Sequence, residues 1–483
     1  MGNSVLKYKD VFVSLLGERY VLSESEQLEG YAQDETRDLG YLPELVLKPK
    51  NSAEISQVLT VCHREGLTVT PRGGGSGVSG GAQPVEGGIV LCMERLNSIC
   101  DINQSNMTVT VETGVITQEV NEQLMQYGLW LPPDPGSAAF CQIGGNLSEM
   151  AAGPKSVKYG AFKDYVLNLQ VVLPDGRITW TGANVRKLAC GYNLTQLMLG
   201  SEGTLGIITR VVFKVVPLPK EEILVRLAFS SLQNACDMIC KVFEAGLTPS
   251  ELEFIDRDSI DAVSAAKKEA SNAIDANSKS ASEVVKEVSD NTEVLLWIGF
   301  DGANRDLLLE DAETAADLAQ AYGVLEVLVA QEPAQKRRLW EYRHLIGKTI
   351  MEATIFRDID LSFPRSALRD IVVGTKQVGE KYGLRTVCFG HCGDGNIHIQ
   401  LLRDELEDAK WDELSTLAVT ELYELTTAHG GAISGEHGIG CVATLGMSLM
   451  FSEVQLELMQ GIKTLFDPKN ILNPGKIIPD LSR

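Results

Sequence analysis

The sequence predicts an α+β protein of two or three domains, and three observations lead there. The chain has 483 residues, whereas single hydrophobic cores stop growing at about 250–300 residues. With 44% hydrophobic and 22% charged residues, its composition is that of a folded globular protein. Short apolar runs with strand character alternate with amphipathic helical stretches, and many of the 45 glycines punctuate them at turns.

Residues 1–42 carry a helical pattern and form an N-terminal segment. Residues 43–47 read as a strand. Asn51-Ser52-Ala53-Glu54 has the form of a helix cap, with Asn51 or Ser52 at the cap and Ile55, Val58, Leu59 and Cys62 on one face. Residues 67–70 return as a strand and enter Pro71-Arg72-Gly73-Gly74-Gly75-Ser76-Gly77. Further strands are predicted at 107–112, 168–173, 177–181 and 206–216, closing a first domain over 43–219. Beyond Pro219, strands such as 223–229 and 293–300 alternate with long helical stretches, giving a second domain over 220–414. Residues 262–291, rich in Ala, Ser, Lys and Glu, read as a solvated helix or mobile excursion. A C-terminal helical segment over 415–483 is expected to return to the first domain.

The balance of 43 Lys and Arg against 65 Asp and Glu gives a net charge of −22, which repels phosphate backbones and anionic membranes. Nucleic acid is therefore excluded as a partner, and an anionic substrate requires a local positive centre such as a metal ion or a buried arginine. No apolar run reaches the length of a membrane span, and no secretory or myristoylation signal stands at the N-terminus. The ten cysteines are scattered without CxxC spacing and read as buried, reduced thiols of a cytoplasmic protein.

Glycines 73–77 follow a strand, so their N–H groups can point inward together and cradle diphosphate oxygens. Their spacing is neither the Rossmann fingerprint nor the P-loop. By itself such a loop is as well explained by a tight turn. It is followed in order by 131–137 (Leu-Pro-Pro-Asp-Pro-Gly-Ser), Ile143-Gly144-Gly145-Asn146, Lys158-Tyr159-Gly160 and 200–209 (Gly-Ser-Glu-Gly-Thr-Leu-Gly-Ile-Ile-Thr). This series resembles the FAD-binding domain of the vanillyl-alcohol oxidase (PCMH-type) superfamily. Within it, the chain resembles the branch of glycolate oxidase catalytic subunits, D-lactate dehydrogenases and D-2-hydroxyglutarate dehydrogenases, from about residue 40 to the C-terminus.

The resemblance implies an FAD-binding domain, then an α+β substrate (cap) domain and the C-terminal helical segment. It implies that Gly73, Gly74, Gly75, Ser76 and Gly77 hold the pyrophosphate of FAD, with Arg72 and Ala82 also binding the cofactor. Pro133, Asp134, Ser137, Gly144, Gly145, Asn146, Gly153 and Gly160 would line the cofactor, as would Glu202, Gly203, Gly206, Ile207, Ile208 and Asn473. Relatives with covalent flavin carry a His in the glycine loop, so Ser76 implies non-covalent attachment. Where relatives read Thr-Asn-Ala-Gly-Gly, this chain has Glu149-Met150-Ala151-Ala152-Gly153.

Four of the six histidines fall in two short segments, at His391 and His398 and at His429 and His437. Asp394-Gly395 is a two-residue hairpin signal, which sets His391 opposite His398, with Cβ atoms about 5 Å apart. Two imidazoles there can share one divalent metal, with Glu436 as a third ligand, and the set suits Zn²⁺, Fe²⁺ or Mn²⁺. The resemblance implies the same three ligands, His437 as the base that takes the substrate proton, and Arg343 as the clamp on the substrate carboxylate. It points to an FAD- and metal-dependent D-2-hydroxy acid dehydrogenase, D-lactate first. Rival readings are a glycolate or D-2-hydroxyglutarate enzyme, and a non-catalytic flavoprotein relay. With no iron–sulfur framework and no nicotinamide fingerprint, the flavin's electrons are expected to leave to a partner protein such as electron-transfer flavoprotein.

Overall fold

The structure is a computed structural model that describes residues 5–36, 39–273 and 288–479. The chain forms two compact units. Met1–Gly153, Gly160–Leu218 and Glu436–Arg483 make the first, and Pro154–Tyr159 with Pro219–Gly435 make the second. The chain thus returns to the first unit at Glu436, not at residue 415. Helix Asp408–Ala428 packs along helix Leu368–Tyr382 and stays with the second.

In the first unit a four-stranded sheet has the order Val21–Leu22, Leu45–Leu47, Ile89–Cys92, Val69–Arg72. The last three strands run parallel, which requires a crossover, supplied by helix Ser52–Glu65. Asn51 is the cap: its side chain accepts the Glu54 N–H at 2.9 Å, and Glu54 in turn accepts the Lys50 N–H at 2.9 Å. The helix buries Ile55, Val58, Leu59 and Cys62 completely and stops at Gly66, whose φ is +68°. Phe12 and Leu16 join the same core as Leu45, Leu59 and Val69, so the described part of 1–42 is an integral piece of this unit. A five-stranded antiparallel sheet follows, in the order Ile99–Asn103, Thr108–Glu112, Ile207–Lys214, Val166–Val172, Ile178–Trp180.

The second unit is built on a seven-stranded sheet in the order Val324–Ala330, Glu221–Phe229, Val294–Gly302, Glu251–Asp256, Arg385–Gly390, Asn396–Leu402, Phe356–Ser362. Every neighbouring pair is antiparallel. Trp297 is buried against Leu339, Tyr342, Ile346 and Ile350 of helix Pro333–Ala353. Residues 154–159 belong here because Lys155 pairs with Glu251 at 2.5 Å and Lys158 with Asp301 at 2.5 Å, both acids being buried. Of the stretch read as solvated or mobile, 262–273 continues helix Arg257–Ala273 with Val263 buried. Residues 274–287 lie outside the described residues. Among the described residues no helix is long and apolar enough to cross a membrane.

Candidate active site

In the first unit, strand Val69–Arg72 delivers the glycine loop, and space rather than flexibility explains its composition. A Cβ on Gly74 would lie 2.7 Å from the Phe140 carbonyl oxygen, and one on Gly77 2.8 Å from Glu149 Oε1. Gly75 has φ +70° and leaves room for the Arg72 guanidinium beneath it. The loop meets the second predicted segment where a Cβ on Gly73 would lie 3.6 Å from the Gln142 side chain and the Gly145 nitrogen. Helix Ile143–Glu149 carries Gly144, Gly145 and Asn146. The Asn146 amide turns inward and donates to Thr117 Oγ1 at 2.6 Å, so it braces the backbone of this segment. Gly153 abuts the Asp134 carbonyl, and Gly203 abuts Pro71. A Cβ on Gly160 would run into the Asp164 carboxyl, while Gly206, Ile207 and Ile208 lead into strand Ile207–Lys214 beside strand Val166–Val172. Asn473 donates to the carbonyls of Glu202 and Gly81 at 2.7 and 2.9 Å.

Two carboxyl groups stand beside this loop. Glu202 accepts the N–H groups of Ile439 and Gly440 at 2.7 and 2.8 Å. Burial pushes its carboxyl up to about 7, against the pull of those two amides and Lys476. Glu149 retains some solvent access as a residue, yet burial of its carboxyl and repulsion from Glu202 and Asp34 push it up to about 8, with His437 opposing. A carboxylic acid that stays protonated at neutral pH is a mark of functional sites.

In the second unit the expected two-residue turn at Asp394-Gly395 is not formed. Strand Arg385–Gly390 pairs with Asn396–Leu402 in a register that sets His398 opposite Phe389, not His391. A type I′ turn needs positive φ at both central residues. Here Gly395 has it (φ +83°) and Asp394 does not, while Gly390 at φ +147° starts the bend early. The loop closes instead through Asn396 N–H to His391 O at 3.0 Å. The slip is two residues, so the face of the strand is preserved, and the two imidazoles still meet with ring centroids 5.4 Å apart. Both are buried, and their ligand nitrogens lie within 4.8 Å of one another.

Two buried acids organise this pair. Glu253 bonds His391 Nδ1 through one oxygen and Arg343 Nε through the other, the latter at 2.8 Å. Burial alone would raise its carboxyl, but the His391 and Arg343 charges outweigh it and hold it down at about 2. The Arg343 guanidinium also stacks over Phe389 at 4.6 Å. Asp360 faces His398 across the sheet and accepts the Gly435 N–H at 2.8 Å and the Asn396 amide at 2.5 Å. It thereby fixes the chain up to the residue before Glu436. Neither acid is predicted from the sequence. The available signal is Glu251-Leu-Glu253-Phe-Ile-Asp256, a six-residue strand buried throughout yet carrying three acids, which no solvated strand edge explains. His429 caps its helix, Nδ1 to Leu425 O at 2.9 Å.

The sequence matches two family models in tandem, the FAD binding domain over residues 43–182 and the C-terminal domain of FAD linked oxidases over 218–477. The chain belongs to the FAD-linked oxidase family. It is 33% identical over 461 residues to a D-lactate dehydrogenase of Anaerostipes hadrus, covering 95% of this chain and 94% of that one. A glycolate oxidase subunit of Bacillus subtilis is 32% identical, with 92% and 91% covered. Among solved structures, a 4-ethylphenol oxidase from Gulosibacter chungangensis matches with a TM-score of 0.77 over 99% of this chain and 98% of that one at 17% identity, and p-cresol methylhydroxylase with 0.77 over 99% and 97% at 18%. The fold is that of the vanillyl-alcohol oxidase superfamily, and the chain is an FAD-linked oxidoreductase.

The first unit fits the cofactor on its own evidence. Among the described residues, Arg72 Nη1, Gln142 Oε1, Ser79 Oγ and Asn473 Oδ1 are buried without a hydrogen-bond partner. Unpaired buried polar atoms cost about 1–3 kcal/mol each, so a cluster of them around a glycine loop implies a polar ligand. A guanidinium with one nitrogen left over suits a diphosphate.

Two expected outcomes follow from this unit. Gly74→Ala drives a methyl into the Phe140 carbonyl, and since overpacking costs about 1–3 kcal/mol, FAD should dissociate roughly tenfold faster or more; an unchanged flavin off-rate in stopped-flow would contradict the cradle. The second concerns pH. Glu149 and Glu202 keep their protons to about 8 and 7 in the folded state, whereas an unshifted carboxyl loses its proton near 4.5. The unfolded chain therefore binds fewer protons between those limits, and stability falls as pH rises from about 4.5 to about 8. Glu149→Gln should raise the melting temperature of the FAD-free protein by an amount that grows across that window, and a gain independent of pH would argue against the raised carboxyl.

Proposed function

We propose that this chain oxidises a D-2-hydroxy acid, D-lactate before others, with non-covalently bound FAD and one divalent metal. The observation that carries it is Glu253, which holds an imidazole by Nδ1 and a guanidinium by Nε in one buried triad. A metal-ligating histidine characteristically gives its other nitrogen to a carboxylate in this way. A guanidinium so held suits a substrate carboxylate. The family membership and the 33% identity to a protein named D-lactate dehydrogenase support the substrate class, and the glycolate oxidase relative makes glycolate the second acid to test.

The chemistry supplied on binding would be a hydride acceptor from FAD and a Lewis acid for the hydroxy acid from the divalent cation. His391, His398 and Glu436 would hold that cation, and the chemistry of two imidazoles and a carboxylate leaves Zn²⁺, Fe²⁺ and Mn²⁺ open. His437 takes the proton of the substrate hydroxyl. Arg343 orients the carboxylate, and Glu253 keeps Arg343 and His391 from turning away. Ser76 in the glycine loop supports non-covalent FAD, so acid should release the flavin from precipitated protein. Electrons leave to a partner protein, with electron-transfer flavoprotein the first to try.

Anaerobic mixing of the FAD- and metal-loaded protein with D-lactate, glycolate or D-2-hydroxyglutarate tests this reading. Flavin should bleach fastest with D-lactate. His398→Ala should lose metal and bleaching while keeping FAD, and His437→Asn should keep metal yet slow by about 10²–10⁴-fold, as loss of a general base does. Bleaching by none of the acids, or stoichiometric metal in His398→Ala, would overturn it.

A further inference from the structure

Within the first unit, the residues Glu436-His437-Gly438-Ile439-Gly440 begin the C-terminal stretch. Their turn has no regular secondary structure to hold it, so its order must come from side chains. Both Glu202 oxygens are committed to it, through the Ile439 and Gly440 N–H groups. Gly438 and Gly440 have φ of +78° and +52°, and a Cβ on Gly438 would lie 2.9 Å from Glu202 Oε1. Ser79 O accepts the Cys441 N–H at 3.1 Å and closes the turn from the other side. Glu202 itself has φ +48°, a conformation that disfavours any side chain. A glutamate stands where glycine would be easier, and Asn473 secures its carbonyl.

Glu149 shares this space. A Cβ on Gly81 would lie 3.1 Å from Glu149 Oε1 and 3.9 Å from Glu202 Oε2, and one on Gly438 3.6 Å from Glu149 Cγ. Two ionised carboxyls so placed repel, and one retains its proton. Glu202 has two N–H donors and the Lys476 charge in its favour. Glu149 has Asp34 and Glu202 against it, with His437 opposing them.

We propose that Glu202 and Glu149 are positioning residues, Glu202 clamping the turn behind His437 through both its oxygens and Glu149 packed beside it in the same buried space. This deepens the reading of His437 as the base and rests on it.

The test is amide hydrogen exchange of Ile439 and Gly440 in the FAD-bound protein, corrected for the intrinsic rate, with steady-state kinetics on D-lactate beside it. Glu202→Gln puts an NH₂ where an acceptor is needed. Since hydrogen bonds to charged groups are the stronger ones, protection of these two amides should fall about tenfold or more, and kcat should fall with little change in KM. In the native protein protection should decline above about pH 8, where Glu149 ionises, and Glu149→Gln should abolish that decline. Native protection in Glu202→Gln, or an unchanged pH profile in Glu149→Gln, would overturn the proposal. If no hydroxy acid reduces the flavin, the functional reading fails while the exchange measurement still decides the clamp.

Discussion

A carboxylate buried in a protein interior is tolerable only when it is paired, and this chain turns that requirement into a set of anchors. Glu253 is fully buried and holds His391 and Arg343. Asp360 is buried and holds Asn396 and Gly435. Glu202 is buried and holds Ile439 and Gly440. In each case at least one partner lies in a loop or turn that carries candidate chemistry, and moving that loop would leave a buried acid short of its donors, at a cost of about 3–5 kcal/mol for a broken buried pair.

The same anchors were the part of the molecule least legible in the sequence. Helix Ser52–Glu65 was legible because its cap and apolar spacing are local, and Asn51 with Ile55, Val58, Leu59 and Cys62 lie where those signals put them. The pairing of Glu253 with His391 spans 138 residues, and no local pattern encodes it. The hairpin shows the intermediate case. Asp394-Gly395 signals a turn, but Gly390 begins the bend earlier, and a slip of two residues keeps each side chain on its own face. That is why the meeting of His391 and His398 survives a wrong register.

Sharing a fold with a 4-ethylphenol oxidase and p-cresol methylhydroxylase at 17% and 18% identity says little about the reaction, since one fold hosts many chemistries. What sets this chain apart lies in particular side chains. The first unit supplies a glycine cradle and unpaired polar atoms suited to a diphosphate. The second supplies an antiparallel sheet whose buried acids orient two imidazoles and a guanidinium. An acidic protein of net charge −22 must gather positive groups to attract an anionic acid, and the Glu253 triad gathers them.

The most direct measurement is therefore on Glu253, which touches neither flavin nor substrate in this reading. Metal affinity of the native protein and of Glu253→Gln would be determined by chelator competition, with retained FAD as the check on folding. If Glu253 orients His391 as a ligand, affinity should fall about 10–100-fold, as when the partner of a metal-bound histidine is lost, and D-lactate turnover should fall with it. Equal affinity in the two proteins would show that the triad does not serve a metal site.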